Sequence, residues 1–166
     1  NHFESIYLLG TLFTQKKNFN RSIQLLKKAV QIQPNHASAH NNLGIALISN
    51  DVKNYQVAND CFIKAIKIDP NFAEAFYNLG NMCKEENYEE AKNLYRKALK
   101  IKPNYTNAYI NLGVVSEYCN EFDEAINCYQ KASNLKPNDP KIYSLIGSVL
   151  EKLGMHIAAI ENYQKA

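Results

Sequence analysis

The sequence predicts an all-α fold, a right-handed α-solenoid made from one helical hairpin repeated along the chain. The stretch Pro70-Asn71-Phe72-Ala73-Glu74-Ala75-Phe76-Tyr77-Asn78-Leu79-Gly80 recurs in outline from Pro34 to Gly44 and from Pro103 to Gly113. Pro34, Pro70, Pro103 and Pro137 lie 36, 33 and 34 residues apart. Apolar residues follow helical spacing, without the period-two alternation of strands. A fixed period of this length is the mark of stacked helix pairs. Residues 1–166 therefore read as a single array with repeats at about 3–36, 37–72, 73–105, 106–139 and 140–166, the last truncated.

Taken in order, the first helix of repeat one carries Ile6, Leu9, Gly10 and Phe13 on one face. Asn18 ends it, because asparagine tolerates the left-handed turn that glycine usually supplies. Phe19 starts a second apolar face through Ile23, Leu26, Ala29 and Val30, and Pro34 stops that helix by disfavouring helix in the residue before it. Repeat two places His40, Leu43, Gly44 and Leu47 on its first helix and Tyr55, Ala58, Phe62, Ala65 and Ile66 on its second. Its turn, Asn50-Asp51-Val52-Lys53-Asn54, is longer than that of repeat one, and repeat three is shorter at the same place. Length changes confined to turns keep the faces in register. Repeat four is regular, with Tyr109, Leu112 and Gly113, then Phe122, Ala125, Ile126, Tyr129 and Ala132. Repeat five begins at Pro140 with Tyr143, Ile146, Gly147 and Leu150, followed by Ala159, Ile160 and Tyr163.

Packing logic follows from these columns. Gly10, Gly44, Gly80, Gly113 and Gly147 stand where the helices of a pair cross closest. Ala29, Ala65, Ala98 and Ala132 are small where one pair docks on the next, and Leu26, Phe62, Tyr95 and Tyr129 fill the remaining space. His40 in an aromatic slot and Ser22 in an alanine slot predict looser packing in the first two repeats. Ile160 and Tyr163 face the place of a sixth repeat with no polar cap. The expectation is that the chain continues or that this end packs against a second copy. Asn1 falls at the start of a repeat and Ala166 inside one, so the chain reads as a segment of a longer protein.

Composition excludes several functions. A 46% apolar content is ample for a core, and a net charge of +3, spread along the chain, is a poor footprint for nucleic acid or an anionic membrane. No apolar run is long enough for a membrane span. Cys61, Cys83, Cys119 and Cys128 lack metal-ligand spacing and read as reduced packing residues, which points to a cytoplasmic or nuclear location. The sequons Asn20-Arg21-Ser22 and Asn104-Tyr105-Thr106 then arise by chance. His36 and His40 read as packing residues, not metal ligands, and no phosphate loop or nucleophile–base pair occurs, so no cofactor, metal or catalytic residue is expected. Glu85-Glu86 and Glu89-Glu90 read as a solvated charge run.

An aromatic, then Leu-Gly, then a large residue, Ala, an aromatic, Ala and Pro over each repeat resembles the tetratricopeptide repeat. First helices of such a stack line its inner surface. Tyr7-Leu8, Asn41-Asn42, Tyr77-Asn78, Ile110-Asn111 and Ser144-Leu145 would face it, with Thr11, Ile45, Asn81, Val114 and Ser148 one turn on. Asn42, Asn78 and Asn111 thus occupy the same place in three consecutive repeats. A carboxamide can pair with both the N–H and the C=O of an extended peptide. Helices about 10 Å apart, against a strand rising about 3.3 Å per residue, would offer one clamp every three or so ligand residues. The expected peptide-binding residues are Asn42, Asn78 and Asn111, with Asn41, Tyr77 and Asn81. The Lys and Arg needed to grip a C-terminal carboxylate are missing from these positions.

The run from Pro70 to Glu85, with Asn78-Leu79-Gly80-Asn81 and Lys84-Glu85, resembles the repeats of nucleocytoplasmic O-GlcNAc transferase and its SPINDLY-type relatives. That resemblance implies a substrate-recruiting superhelix whose asparagine ladder holds acceptor proteins in extended form, with catalytic residues outside this chain. Asn42, Asn78 and Asn111 match the ladder, whereas Leu8 and Leu145 do not. The alternative is an assembly scaffold with no attached enzyme, serving a cell-cycle, transport or trafficking complex.

Overall fold

The computed structural model describes residues 2–50 and 54–166. Among these it contains ten helices and no strand: α1 (His2–Gln15), α2 (Phe19–Ile32), α3 (Ala37–Asn50), α4 (Tyr55–Ile68), α5 (Ala73–Cys83), α6 (Tyr88–Ile101), α7 (Thr106–Tyr118), α8 (Phe122–Leu135), α9 (Pro140–Lys152) and α10 (His156–Lys165). They fall into two compact units, one ending at Met82 and the other starting at Cys83. The longer turn of repeat two includes residues 51–53, which lie outside the described residues.

Helix ends follow local chemistry. Gln33, Asp69, Lys102 and Lys136, each just before a proline, leave the helix with φ between −128° and −136°. Each still donates its N–H to an alanine carbonyl four residues back, at 2.8–2.9 Å. The turn after α1 corrects one expectation. Lys17, not Asn18, takes the left-handed conformation (φ 57°), and Asn18 caps α2 by accepting from the Arg21 N–H. The same place seven residues after the repeat glycine is left-handed at Asn120 and Gly154. Position in the hairpin, rather than side-chain preference, sets that turn.

In the first unit, Leu26, Phe62, Leu43, Leu47, Ala46 and Ala58 form a buried cluster, against which Leu79 and Met82 of α5 pack. Gly10 and Gly44 are required by close approach: a Cβ at Gly44 would lie 2.7 Å from the Phe62 ring, and one at Gly10 2.9 Å from Leu26. Leu9 was expected in this core but is 43% exposed, while Phe3 is buried in its stead. Buried residues on α1 run Phe3, Ile6, Gly10, a face that Leu9 misses by one position.

Nor is packing looser at the two substituted slots. Ser22 is buried, and its hydroxyl lies 2.6 Å from that of Thr14. The His40 ring nitrogen meets the Pro34 carbonyl at 2.9 Å, as the Tyr143 hydroxyl meets Pro137 at 2.9 Å. A histidine therefore reproduces the bond its tyrosine counterpart makes. His36 rests on the rings of Phe3 and Tyr7, and its Nδ1 accepts from the Ala39 N–H that opens α3.

The second unit repeats the plan with larger rings. Tyr129 is buried among Ala125, Ala132, Ile142, Ile146 and Val149. A Cβ on Gly113 would lie 2.5 Å from its ring. Burial, then the neighbouring Glu117, pushes the Tyr129 phenol well up, so it stays neutral. Cys61 and Cys128 occupy matching positions in α4 and α8, and burial pushes both thiols up to about 11. They are inert packing groups.

Candidate functional site

Three of the expected site residues meet in the first unit. Asn78 Nδ2 donates to Asn41 Oδ1 at 2.9 Å, and Asn41 Nδ2 donates to Asn42 Oδ1 at 3.3 Å. Asn42 Nδ2 donates to the Tyr7 hydroxyl and to Thr11 Oγ1, both at 3.1 Å. Thr11 in turn donates to the Tyr7 carbonyl at 3.0 Å. This amide chain links α5, α3 and α1. Asn41 is only 4% exposed, so it serves as an internal strut and lies too deep to meet a ligand. Both N–H groups of Asn42 are committed inward and its oxygen already accepts from Asn41, which leaves that oxygen's second lone pair, not a two-way clamp, for a partner. Tyr77 and Asn81 lie in the same helix as Asn78, partly buried, and each interacts with neighbouring groups. Asn111 lies on α7 of the second unit, also partly buried and engaged.

Beside Asn42 a pocket of about 210 Å³ opens between α1 and α3, lined by Thr11, Thr14, Gln15, Asn42 and Ile45. In the second unit a pocket of about 300 Å³ is lined by Lys84, Glu85, Tyr88, Val114, Val115 and Tyr118. Lys84, Glu85 and Val114 occupy the repeat positions of Thr14, Gln15 and Ile45. The two pockets therefore share three lining positions, while Tyr88, Val115 and Tyr118 line the second alone. Tyr88 and Tyr118 stack at 5.5 Å, with Tyr118 67% exposed.

Sequence reasoning missed Lys92. It is 2% exposed, with its ammonium 2.6 and 2.7 Å from the Glu121 carboxylate oxygens and 2.7 Å from Glu89. Burial opposes its charge, but the hydrogen bonds to Glu121 and Glu89 outweigh that and hold its pKa above the ordinary lysine value. Glu89 is thus a partner in this cluster, not merely part of a solvated run. The signal was in the repeat: Lys92 stands where Ile23, Ile126 and Ile160 stand. Alongside, Arg96 donates to Glu124 at 2.7 Å, and Ser116 to the same carboxylate at 2.9 Å. Burial raises the Glu124 pKa, but these bonds more than reverse it, so it ionises below the usual carboxylate range. Glu89, Cys119 and Glu121 are the one cluster of potential metal ligands among the described residues, and the Lys92 ammonium already supplies the cation between its carboxylates.

On α10, Ile157, Ile160 and Tyr163 are exposed, whereas Tyr129, the counterpart of Tyr163, is fully buried. No helix among the described residues is long and apolar enough to cross a membrane.

The family described as TPR repeat matches residues 10–51, 82–116 and 118–154, and a second tetratricopeptide-repeat description matches 61–92. No curated protein sequence matches the chain. Among solved structures, one of MamA is 27% identical over 94% of this chain and 91% of that one, with a TM-score of 0.83. MamA from Desulfovibrio magneticus RS-1 gives 23% identity, 99% and 93% coverage and a TM-score of 0.85. PilF from Pseudomonas aeruginosa gives 24%, 98% and 74%, with a TM-score of 0.88. At the identities of the last two, the likeness is one of fold. The period of the prolines, the glycine-on-ring hairpins and a family match over more than half its length agree: the chain belongs to the tetratricopeptide-repeat family, whose repeats serve as protein-interaction scaffolds.

Proposed function

We propose that this chain is a protein-binding scaffold module that takes an extended peptide along the first-helix faces of α1, α3 and α5. The observation that supports this most is the Asn42 carboxamide oxygen, which accepts from Asn41 and has a second lone pair left, with a pocket at its side. Asn78 commits one N–H to Asn41, and its carboxamide oxygen is the group this reading assigns to a ligand. Main-chain N–H groups of an extended peptide would donate to these oxygens. Adjacent helices about 10 Å apart set the contacts about three residues apart in the ligand.

Selecting binders from a library of short random peptides and then scanning each main-chain amide with N-methyl groups tests this without altering the protein. Two sensitive positions about three residues apart, each weakening binding at least tenfold, are expected. Binders indifferent to N-methylation, or no binders at all, would overturn it.

The second reading, a substrate-recruiting region of an O-GlcNAc transferase-like enzyme, is favoured by the shared position of Asn42, Asn78 and Asn111. The family match favours the scaffold reading instead, because it speaks for protein binding and carries no glycosyltransferase. The exposed α10 face would serve association with a second copy, which sedimentation over a concentration series reads directly.

A further inference from the structure

Building on the peptide-binding reading, we propose that the pocket between α1 and α3 receives one uncharged aliphatic side chain, of the leucine, isoleucine or methionine kind, from a peptide whose main chain runs beside Asn42. Size points to a side chain. At about 210 Å³ the pocket has room for about seven waters. That is below the roughly 300 Å³ at which pockets begin to enclose whole small molecules.

Charge points to an apolar occupant. Thr11, Thr14, Gln15, Asn42 and Ile45 carry no ionisable group, so a buried ammonium or carboxylate would find no counter-charge there. The polar appearance of this lining in the sequence is misleading. Thr11 spends its hydroxyl on the Tyr7 carbonyl and on Asn42. Thr14 Oγ1 lies 3.3 Å from the Gly10 carbonyl, to which it donates, and 2.6 Å from Ser22 Oγ. Both N–H groups of Asn42 are spent in the same way. With the polar atoms turned inward, the surface left to a ligand is nearly all carbon. Only Gln15, at the exposed rim, and the Asn42 oxygen remain polar, which suits a peptide main chain crossing the mouth.

The matching pocket of the second unit is an internal control. It shares three lining positions with the first but bears Lys84, Glu85 and two tyrosines, so it has no such preference for a plain hydrocarbon. Selectivity for an aliphatic group thus comes from the lining residues and not from the hairpin geometry.

The test uses a peptide selected from the random library and its leucine-to-alanine variant, measured on the unaltered chain and on Ile45→Trp, which fills the pocket. Replacing the anchoring leucine should weaken binding to the unaltered chain about tenfold or more. Ile45→Trp should weaken the leucine peptide by a similar factor and leave the alanine peptide unchanged. Gln15→Glu, at the exposed rim, needs no repacking and should bring a lysine-anchored peptide level with or above the leucine one. Equal binding of the leucine and alanine peptides would overturn the pocket assignment, as would equal loss of both on Ile45→Trp. If N-methylation still weakens binding in those cases, the peptide-binding reading stands and only the pocket falls. If N-methylation has no effect, both fall.

Discussion

In the first unit the helices are joined by amides and hydroxyls: Asn78 to Asn41, Asn41 to Asn42, Asn42 to Tyr7 and Thr11, Thr14 to Ser22. In the second they are joined by ions: Lys92 to Glu121 and Glu89, Arg96 to Glu124, Lys152 to Glu117. Thr14 and Glu117 even share one repeat position, four residues after the glycine. One bonds a buried serine, and the other bonds Tyr129 and Lys152. The same backbone thus accepts either chemistry. Neutral links hold their strength across pH and salt and leave an uncharged pocket beside them. Ionic links tie helices to their neighbours but make that unit sensitive to both.

Substitutions can break this comparison at several strengths. The largest effect is expected where hairpins close on a rigid ring. Gly113→Ala would press on buried Tyr129 and cost about 3 kcal/mol, whereas Gly10→Ala meets the flexible Leu26 and should cost about 1 kcal/mol. Urea unfolding of the two variants reads the difference, and equal losses would show that ring rigidity is irrelevant.

Next comes the buried lysine. Glu121→Gln leaves the ammonium with only Glu89 and should cost about 2 kcal/mol. Lys92→Met removes the charge itself and should be close to neutral, because three of its four repeat counterparts, Ile23, Ile126 and Ile160, are isoleucines. A Lys92→Met loss larger than that of Glu121→Gln would mean that the ion pair is worth more than apolar packing. In the first unit, Asn78→Ala strips the donor from buried Asn41 Oδ1 and should cost about 1 kcal/mol, unchanged in molar salt.

The smallest effect is that of pH. The Glu124 carboxyl has its pKa lowered on folding, so its contribution is whole above the unfolded value of 4.5 and drains as pH falls through the lower folded one. Lys92 has its pKa raised, so its contribution is whole below 10.5 and is lost only as pH rises through the folded value. Acid should therefore lower the urea midpoint of NMR signals from α7 and α8 before those of α1 and α3. Coincident shifts in both units would contradict the contrast between neutral and ionic joints.

Much of the fold was legible because it is written several times. Each proline recurs just after the residue that leaves the helix, and each glycine recurs opposite a large side chain at one repeat position, so one reading is checked by the others. What escaped was what differs between copies. Lys92 in an isoleucine column and Leu9 one position off the buried face depend on neighbours that a single repeat does not reveal. The site was half legible. Asn42 and Asn78 could be placed on the right helices by their column. That Asn41 lies between them as a strut, and that Asn42 has spent its donors, depends on bonds across 31 to 37 residues of sequence. The pocket was illegible, because Thr11 and Thr14 read as polar until their hydroxyls are followed to the backbone.

Whether a peptide lies along the first helices is read most directly by amide NMR on adding a library-selected peptide. The backbone signals of Thr11, Thr14, Asn42 and Ile45 and the side-chain amides of Asn42 and Asn78 should shift together, while those of Lys27, Lys28 and Lys64, on the exposed sides of α2 and α4, stay in place. Shifts centred on α2 and α4, with Asn42 and Asn78 unmoved, would contradict it.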